Sequence, residues 1–151
     1  MNKGGTVDFG WVQVTMVNAD HSSGCPGKDN CIIPGGAAAG FVVRFNNHSV
    51  YHSGDTNVFG DMAIIDELYK PDISLLCIGG HFTMGPDETG YALAKFLTST
   101  KIVFPMHFLT FPLLKGDPKQ LREACKKWGA KDVKIVESYD LIGKATAFDA
   151  L

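Results

Sequence analysis

The sequence predicts an α/β domain built on a mixed β-sheet, and the order of its segments leads to this class. Three β-branched segments come first, and helical patterns then alternate three times with short apolar runs. The chain has 151 residues, of which 45% are hydrophobic, so it can bury a core of its own. We therefore expect a single domain over residues 1–151, with a sheet that is antiparallel at its start.

The first three predicted strands contain the segments WVQVTMV, GFVVRFN and SVYH. They cover Trp11–Val17, Gly40–Asn46 and Ser49–His52, and Asn46–Asn47 suits a hairpin turn between the last two. The polar, glycine-rich stretch Asn18–Ala38 is predicted as a long loop. Because no strand pattern precedes Trp11–Val17, we expect the outer edge of this strand to be unpaired.

Helical spacing of apolar residues predicts a first helix over Asn57–Tyr69. A second helix, Pro86–Leu97, opens with proline and acidic residues, which favour a helix start. Asp117 as N-cap and Pro118 as the first helical residue predict a third helix that ends near Trp128. Apolar runs between and after these helices predict buried strands at Ile73–Ile78, Lys101–Phe104 and Val133–Val136.

Composition excludes several classes of partner. The formal net charge of -2 is close to balance, which argues against binding to nucleic acid or to an anionic membrane. No apolar run approaches the roughly 18 residues of a membrane span, and the N-terminus lacks the apolar core of a signal peptide. We therefore expect a cytoplasmic protein.

The four cysteines fall into two kinds. Cys77 lies in an apolar run and Cys125 in a helical pattern, so both are expected to be reduced and buried. Cys25 and Cys31 share one loop, and their spacing fits no common zinc motif well. We interpret them as unligated thiols, with a small zinc site or a local disulfide as the alternatives.

Polar groups that could carry chemistry follow four of the predicted strands. Each comes just beyond an apolar run, and they are His21, Asp55, His81 and His107. If these strands share one sheet, their ends can open on one rim, where α/β domains collect functional groups. Imidazole and carboxylate together suit zinc, manganese or iron, so the set favours a metal site.

Each of these residues also has an ordinary structural interpretation. A histidine at a strand end is often a hydrogen-bonded structural residue, and Asp55 or Thr56 could cap the helix expected at Asn57. His48 is expected to be solvated in the hairpin turn, and His52 to support Asp55 from the preceding strand. The chain has no GxSxG, GxGxxG or Walker pattern, so a serine hydrolase or a phosphate-binding loop has little support.

Four motifs resemble the UPF0173 group of metal-dependent hydrolases, a part of the metallo-β-lactamase superfamily similar to the L-ascorbate-6-phosphate lactonases. The motifs are HSSG at 21–24, YHSGDTNVFGDM at 51–62, IGGHFTMGP at 78–86 and PMHFLTFP at 105–112. The resemblance runs from Met1 almost to the C-terminus. It implies an αββα sandwich with two divalent metal ions, zinc or manganese, at one rim of its two sheets.

The resemblance also implies a role for each matching residue. His21 and His107 would each bind one of the two metals, and Asp55 would bridge them. A hydroxide bridging the metals would then hydrolyse an ester, lactone or phosphoester bond of a small-molecule substrate. The residues implied on the substrate side of the site, or in support of the ligands, are His52, His81, Thr83 and Thr110.

One departure from the family pattern changes the expectation. The superfamily motif HxHxDH supplies the other metal ligands, yet this sequence has no HxH and its only DH pair is Asp20–His21. The chain therefore resembles the C-terminal two-thirds of the enzyme, without its N-terminal β-half. We expect an incomplete sandwich with an exposed apolar surface, active only with a separate N-terminal half or as a homo-oligomer. The alternative is a non-catalytic remnant or interaction module with the same fold.

Overall fold

The computed structural model describes residues 1–130 and 132–137, which form nine strands and three α-helices within those ranges. The strands are β1 Thr6–Asp8, β2 Gln13–Asn18, β3 Gly24–Pro26, β4 Ile32–Pro34, β5 Ala39–Phe45, β6 His48–His52, β7 Ile73–Cys77, β8 Ile102–Met106 and β9 Lys134–Ile135. The helices are α1 Met62–Tyr69, α2 Pro86–Lys95 and α3 Pro118–Trp128.

Seven of these strands form one mixed sheet in the order β1-β2-β5-β6-β7-β8-β9. Neighbours from β1 to β6 are antiparallel, and neighbours from β6 to β9 are parallel. The predicted alternation of helices and strands is therefore confirmed, as is the antiparallel start of the sheet. Asn46 and Asn47 both adopt positive φ, 46° and 64°, and form the predicted turn between β5 and β6.

One face of the sheet carries the hydrophobic core. Val42, Tyr51, Leu76 and Val103 alternate with residues of the other face and are fully buried. They form one cluster with buried residues of all three helices, among them Met62, Ile65, Leu93, Leu121 and Cys125. All three helices therefore pack on this face, and α2 and α3 also pack against each other.

The opposite face is apolar but open at its centre. Register places Met16, Phe41, His52, Leu75 and Phe104 in one row across five strands. Phe41 is 37% exposed, and the three other apolar residues of the row are only half-buried. The expected exposed apolar surface is present on this face.

The outer edge of β2 is paired, so the expectation of an unpaired edge there is wrong. β1 pairs antiparallel with β2 from Thr6↔Thr15 to Asp8↔Gln13. Trp11, which we expected to begin the strand, lies in the connection between the two strands and is exposed. β1 has only three residues and no alternating apolar pattern, which is why the sequence did not reveal it.

The first helix begins five residues later than predicted, at Met62 instead of Asn57. Asp61 occupies its N-cap position, so the capping roles considered for Asp55 and Thr56 are wrong. Phe59 has the helical spacing but lies in the loop before α1, where it packs against the core. The Asn57 N–H instead donates to the carbonyl of Asp20, 2.9 Å away.

The segment expected to be a long loop contains a small hairpin formed by β3 and β4. Cys25 lies in β3 and Cys31 directly before β4, and both are exposed free thiols. Within residues 1–130 and 132–137, no group of three His, Cys, Asp or Glu residues could hold a metal ion, which gives no support to a zinc site at this pair. Cys77 and Cys125 are buried, as predicted, and burial raises the pKa of the Cys125 thiol.

His48 is not the solvated turn residue we expected. It is the first residue of β6, and its Nδ1 lies 2.7 Å from Oδ2 of Asp72 at the end of the sheet opposite to the strand-end histidines.

Two predicted strand ends also differ, since β7 stops at Cys77 and β8 continues to Met106. Across the described residues, no helix has both the length and the apolar character needed to cross a membrane.

Candidate metal centre

The carboxyl ends of four strands meet at one edge of the sheet, which we call the upper rim. β2 and β6 both run antiparallel to β5 between them, and β7 and β8 run parallel to β6. These four strands therefore all end on the same side, as the strand-end pattern required. The residues that follow them at the upper rim are His21, Asp55, His81 and His107.

Asp55 and His107 face each other at the upper rim. Nε2 of His107 lies 3.5 Å from Oδ2 of Asp55, and their side chains are 27% and 50% exposed, respectively. A charge-assisted hydrogen bond would be shorter, at about 2.8 Å. Two ligand atoms on one tetrahedral zinc ion lie about 3.4 Å apart, given metal–ligand distances of about 2.0–2.2 Å. The observed separation therefore suits two ligands of a shared cation better than a direct ion pair.

Only one of the two ring nitrogens of His107 is accessible to a ligand. Nδ1 is buried, and no hydrogen-bond partner for it exists among the residues that the structure describes. It lies beside Gly79, where an added Cβ would sit 3.2 Å from Nδ1 and 2.1 Å from the His107 carbonyl oxygen. Nε2 is therefore the ring nitrogen that can bind a group at the upper rim.

The backbone around both residues is held in unusual conformations. Gly54 has φ +63°, and an added Cβ there would lie 2.5 Å from the carbonyl oxygen of Ala39. The Gly54 N–H donates to Nδ1 of His52, 3.0 Å away, so His52 supports the turn that carries Asp55. His107 itself has φ 56°, a left-handed conformation that costs a non-glycine residue about 1–3 kcal/mol. Such strain is commonly found at functional sites.

His21 is held at the same rim but turned toward another loop. Its Nδ1 lies 2.7 Å from the Ser22 carbonyl oxygen, and its Nε2 lies 3.1 Å from the Phe82 carbonyl oxygen. The loop that carries His21 is fixed by Thr56, whose Oγ1 accepts the Asp20 N–H at 2.9 Å. The structure therefore brings the loops of His21 and Asp55 together while both His21 nitrogens contact carbonyl oxygens.

The donor chemistry fits a divalent cation only in part. Asp55 and His107 have suitable atoms and spacing, but no third His, Cys, Asp or Glu completes a group with them in the described ranges 1–130 and 132–137. Catalytic zinc usually has three protein ligands. The described residues thus supply part of a metal site and fall short of a complete one.

The predicted substrate-side residues lie on two loops of the upper rim. His81 is exposed with φ 58°, and its ring packs edge-on against Phe82 with centroids 4.4 Å apart. Thr110 is exposed three residues after His107. Thr83 is half-buried, and its hydroxyl donates to the Met84 carbonyl oxygen at 3.3 Å. His81 and Thr110 are therefore open to a bound molecule, whereas the Thr83 hydroxyl is already engaged.

Sequence reasoning missed the residues that hold these loops together. Thr56 is fully buried and links three segments, since its Oγ1 accepts from Asp20 and its carbonyl accepts the Met84 N–H at 2.9 Å. Gly79 and Gly116 allow backbone contacts that a side chain would block, and the Gly116 N–H donates to the Gly79 carbonyl. The Gly79-Gly80 pair directly after a buried strand was the available signal for a close backbone contact.

Comparison with known proteins identifies relatives over most of the chain. A "UPF0173 metal-dependent hydrolase" of Methanosarcina mazei is 46% identical over 136 residues, which cover 90% of this chain and 57% of that protein. Another of Chloroflexus aurantiacus is 50% identical over 129 residues, covering 85% of this chain and 52% of that protein. The chain thus spans little more than half the length of these relatives.

Solved structures and a family model agree with these relatives. Igni18, described as a novel metallo hydrolase of Ignicoccus hospitalis, matches with a TM-score of 0.73 and 32% identity over 91% of this chain and 56% of that chain. The model of the Beta-lactamase superfamily domain matches residues 1–108, which include His21, Asp55, His81 and His107. This match covers most of the chain, and the chain therefore belongs to the Beta-lactamase superfamily domain family.

Proposed function

We propose that this chain forms part of a metal-dependent hydrolase that cleaves an ester, lactone or phosphoester bond of a small molecule. The observation that carries the proposal is the convergence of Asp55 and His107 at the upper rim, 3.5 Å apart. The relatives named metal-dependent hydrolases support the class of reaction. The chain covers only 57% of the Methanosarcina relative, so we propose this activity for the complete protein and not for the chain alone.

Each residue has a defined part in this proposal. Asp55 would hold both cations through its carboxylate, whose negative charge would partly offset theirs, and His107 would hold one of them through Nε2. His21 would hold the other cation, which would require its ring to turn away from the Phe82 carbonyl oxygen. Two divalent cations, zinc or manganese, would supply an acidified water as nucleophile and polarise the bond to be cleaved.

The chain's own residues hold Asp55 and His107 in position before any metal binds. His52 fixes the Gly54 N–H, which orients the turn ahead of Asp55. Gly79 lets the loop after β8 approach the end of β7, which positions His107. His81 and Thr110, which are exposed at the upper rim, are the residues that we propose contact a substrate or the oxyanion formed from it.

The remaining ligands are proposed to come from outside the described residues. Two facing donors are fewer than the three to four that zinc usually takes from protein. The proposed source is either a separate polypeptide that contains the part of the relatives not covered by this chain, or a second copy of this chain in a homo-oligomer. Alone, the chain is expected to be inactive, and we expect the assembled enzyme to be cytoplasmic.

Metal content tests the proposal directly. The full chain is mixed with the segment of a UPF0173 relative that it does not cover, equilibrated with Zn²⁺ or Mn²⁺, desalted and assayed by elemental analysis. We expect bound metal to rise well above that of either polypeptide alone, and Asp55→Asn to abolish the increase. Asp61→Asn is the matched control, since Asp61 is exposed and its side chain makes no capping hydrogen bond to α1.

The non-catalytic alternative makes the opposite prediction. The lack of a complete group of metal donors within the described part of the chain is the observation that favours it. If metal content stays the same on mixing, or is equal in Asp55→Asn and the parent chain, the hydrolase proposal fails and an interaction module is favoured. Two metal ions per chain without the added segment, lost in Asp55→Asn, would eliminate the non-catalytic alternative.

A further inference from the structure

Four large apolar side chains are exposed on the two loops that carry His81 and His107. They are Phe82, Leu109, Phe111 and Leu113, with exposed fractions of 51%, 61%, 45% and 46%. We call this group the apolar patch. Its side chains are uncharged, and a concentration of exposed apolar groups on two loops commonly marks a ligand or partner site.

The apolar patch adjoins the candidate metal centre. The Phe82 carbonyl oxygen contacts Nε2 of His21, 3.1 Å away, and Phe111 follows His107 by only four residues. The Phe82 and Phe111 rings lie with centroids 6.1 Å apart, so the two loops meet at this point. The Met84 N–H donates to the Thr56 carbonyl, which ties the Phe82 loop to the turn that carries Asp55.

Backbone hydrogen bonds hold the patch in place. The Leu109 N–H donates to the Leu114 carbonyl at 3.2 Å, and the Leu114 N–H donates to the Phe111 carbonyl at 3.0 Å. The Leu114 side chain is 1% exposed and anchors this loop in the protein interior. Leu109 has φ 53°, a conformation that is costly for a leucine. The fold therefore holds the neighbouring apolar side chains outward in a defined arrangement.

Space for a ligand is present beside the patch. A surface cavity of about 490 Å³ is lined by Leu113, His81 and Lys115, together with the Gly79–Gly80 turn. This volume lies within the range of about 300–1,000 Å³ that is usual for small-molecule sites. Leu113 belongs to both the apolar patch and the cavity lining, and His81 directly precedes Phe82, so the cavity adjoins the patch.

We propose that the apolar patch binds the apolar acyl group of an ester substrate whose carbonyl lies at Asp55 and His107. This inference rests on the proposed hydrolase function and narrows its substrate to esters with an uncharged hydrocarbon chain or ring. Phe82 and Phe111 determine specificity by covering the acyl chain.

The binding of simple esters to the metal-free chain tests the proposal without any need for catalysis. The ¹⁵N-labelled full chain is titrated, free of metal, with methyl acetate, methyl butyrate and methyl hexanoate, and amide chemical shifts are followed by NMR. We expect methyl hexanoate to shift signals of residues 80–85 and 107–116, with the Kd falling about two- to fourfold for each added CH₂. Phe111→Ala should weaken methyl hexanoate binding at least fivefold, and Phe111→Leu should weaken it less.

A control variant separates the patch from general surface hydrophobicity. Ile64 is 53% exposed on α1 and is not part of the apolar patch, so Ile64→Ala should leave the binding of methyl hexanoate unchanged. Equal binding of butyrate and hexanoate, or equal losses in Phe111→Ala and Ile64→Ala, would overturn the proposal. Concentration-dependent shifts of the patch without any ester would instead identify a protein interface and also overturn it.

The two proposals fail separately in these experiments. Metal uptake is measured by elemental analysis and depends on Asp55, whereas ester binding is measured on the metal-free chain and depends on Phe111. Chain-length-dependent binding without metal uptake counts against the hydrolase. Metal uptake without chain-length-dependent binding counts against the apolar patch alone.

Discussion

At the scale of single residues, His107 can approach the end of β7 because position 79 has no side chain. An alanine Cβ at position 79 would lie 2.1 Å from the His107 carbonyl oxygen, a backbone atom that can move only with the loop. The loop would have to shift, and with it the Nε2 atom that faces Asp55. Gly79 therefore couples local packing to the geometry of the candidate metal centre.

Gly79→Ala is expected to lower the free energy of unfolding by roughly 1–3 kcal/mol, because the overpacked loop must rearrange. It should also reduce metal uptake by the mixed polypeptides. Urea denaturation and elemental analysis measure the two effects. Gly60→Ala is the control: an added Cβ there meets no atom within 4 Å, so stability should change by less than about 1 kcal/mol. Equal losses in both variants would contradict the role of Gly79.

Asp72 links stability to pH at the opposite end of the sheet. Partial burial raises its pKa, but hydrogen bonds from His48, from the Ser49 N–H and from its own backbone, with attraction to His48, outweigh burial and hold the pKa below the ordinary 3.8. A carboxylate with a depressed pKa in the folded state stabilises the protein above its unfolded pKa and ceases to do so as pH falls through the folded value.

Asp72→Asn should therefore lower the free energy of unfolding by roughly 1 kcal/mol near pH 6, and this difference should shrink as pH falls below 3.8 and the folded carboxylate takes up a proton. Chemical denaturation of both proteins at several pH values gives the comparison. A difference that stays constant over this range would show that the charge of Asp72 contributes nothing to stability.

The sequence predicted which residues reach the upper rim but could not predict their contacts. His21, Asp55 and His107 each follow an apolar strand, and that pattern alone predicts a common edge once the strands share a sheet. The orientation of the His21 ring depends on the Phe82 carbonyl, which is 61 residues away along the chain. Such a contact exists only after the loops have packed, so no local pattern records it.

At the scale of secondary structure, elements with strong end signals were predicted well. α2 and α3 begin at the predicted prolines, Pro86 and Pro118, which suit the first helical position. α1 has no comparable signal. Its start was predicted too early because Phe59, which lies in the loop before α1, has the spacing of a helical core residue. β1, β3 and β4 have three residues each, too few for an alternating pattern to be recognised.

The N-cap of α3 provides a test at this scale. The Asp117 side chain accepts the Gln120 N–H at 2.9 Å, and the Gln120 side chain accepts the Asp117 N–H at 3.2 Å. Asp117→Ala should lower the free energy of unfolding by about 1 kcal/mol, since a capping residue is lost. Asp61→Ala removes the N-cap residue of α1, which makes no such bond, and should change stability much less. Thermal and urea denaturation of the two variants should rank them in this order.

At the scale of the whole molecule, the two faces of the sheet are not equivalent. The helix-covered face contains fully buried residues such as Val42 and Leu76, while the row from Met16 to Phe104 on the other face stays partly exposed. An apolar sheet face in water favours burial against another layer. The superfamily resemblance predicted a second sheet there, and the open face supports that expectation from packing alone.

Phe41 lies in the middle of the open face and provides the final test. Phe41→Glu should leave the isolated chain folded, because the side chain is already 37% exposed. It should weaken association with the uncovered segment of a UPF0173 relative at least tenfold, since an unpaired charge would have to be buried between two apolar layers. Ile64→Glu places the same charge at a 53% exposed position on α1 and should leave association intact. Sedimentation of the co-produced polypeptides measures the complex; equal complex formation by both variants would show that the second layer does not pack on this face.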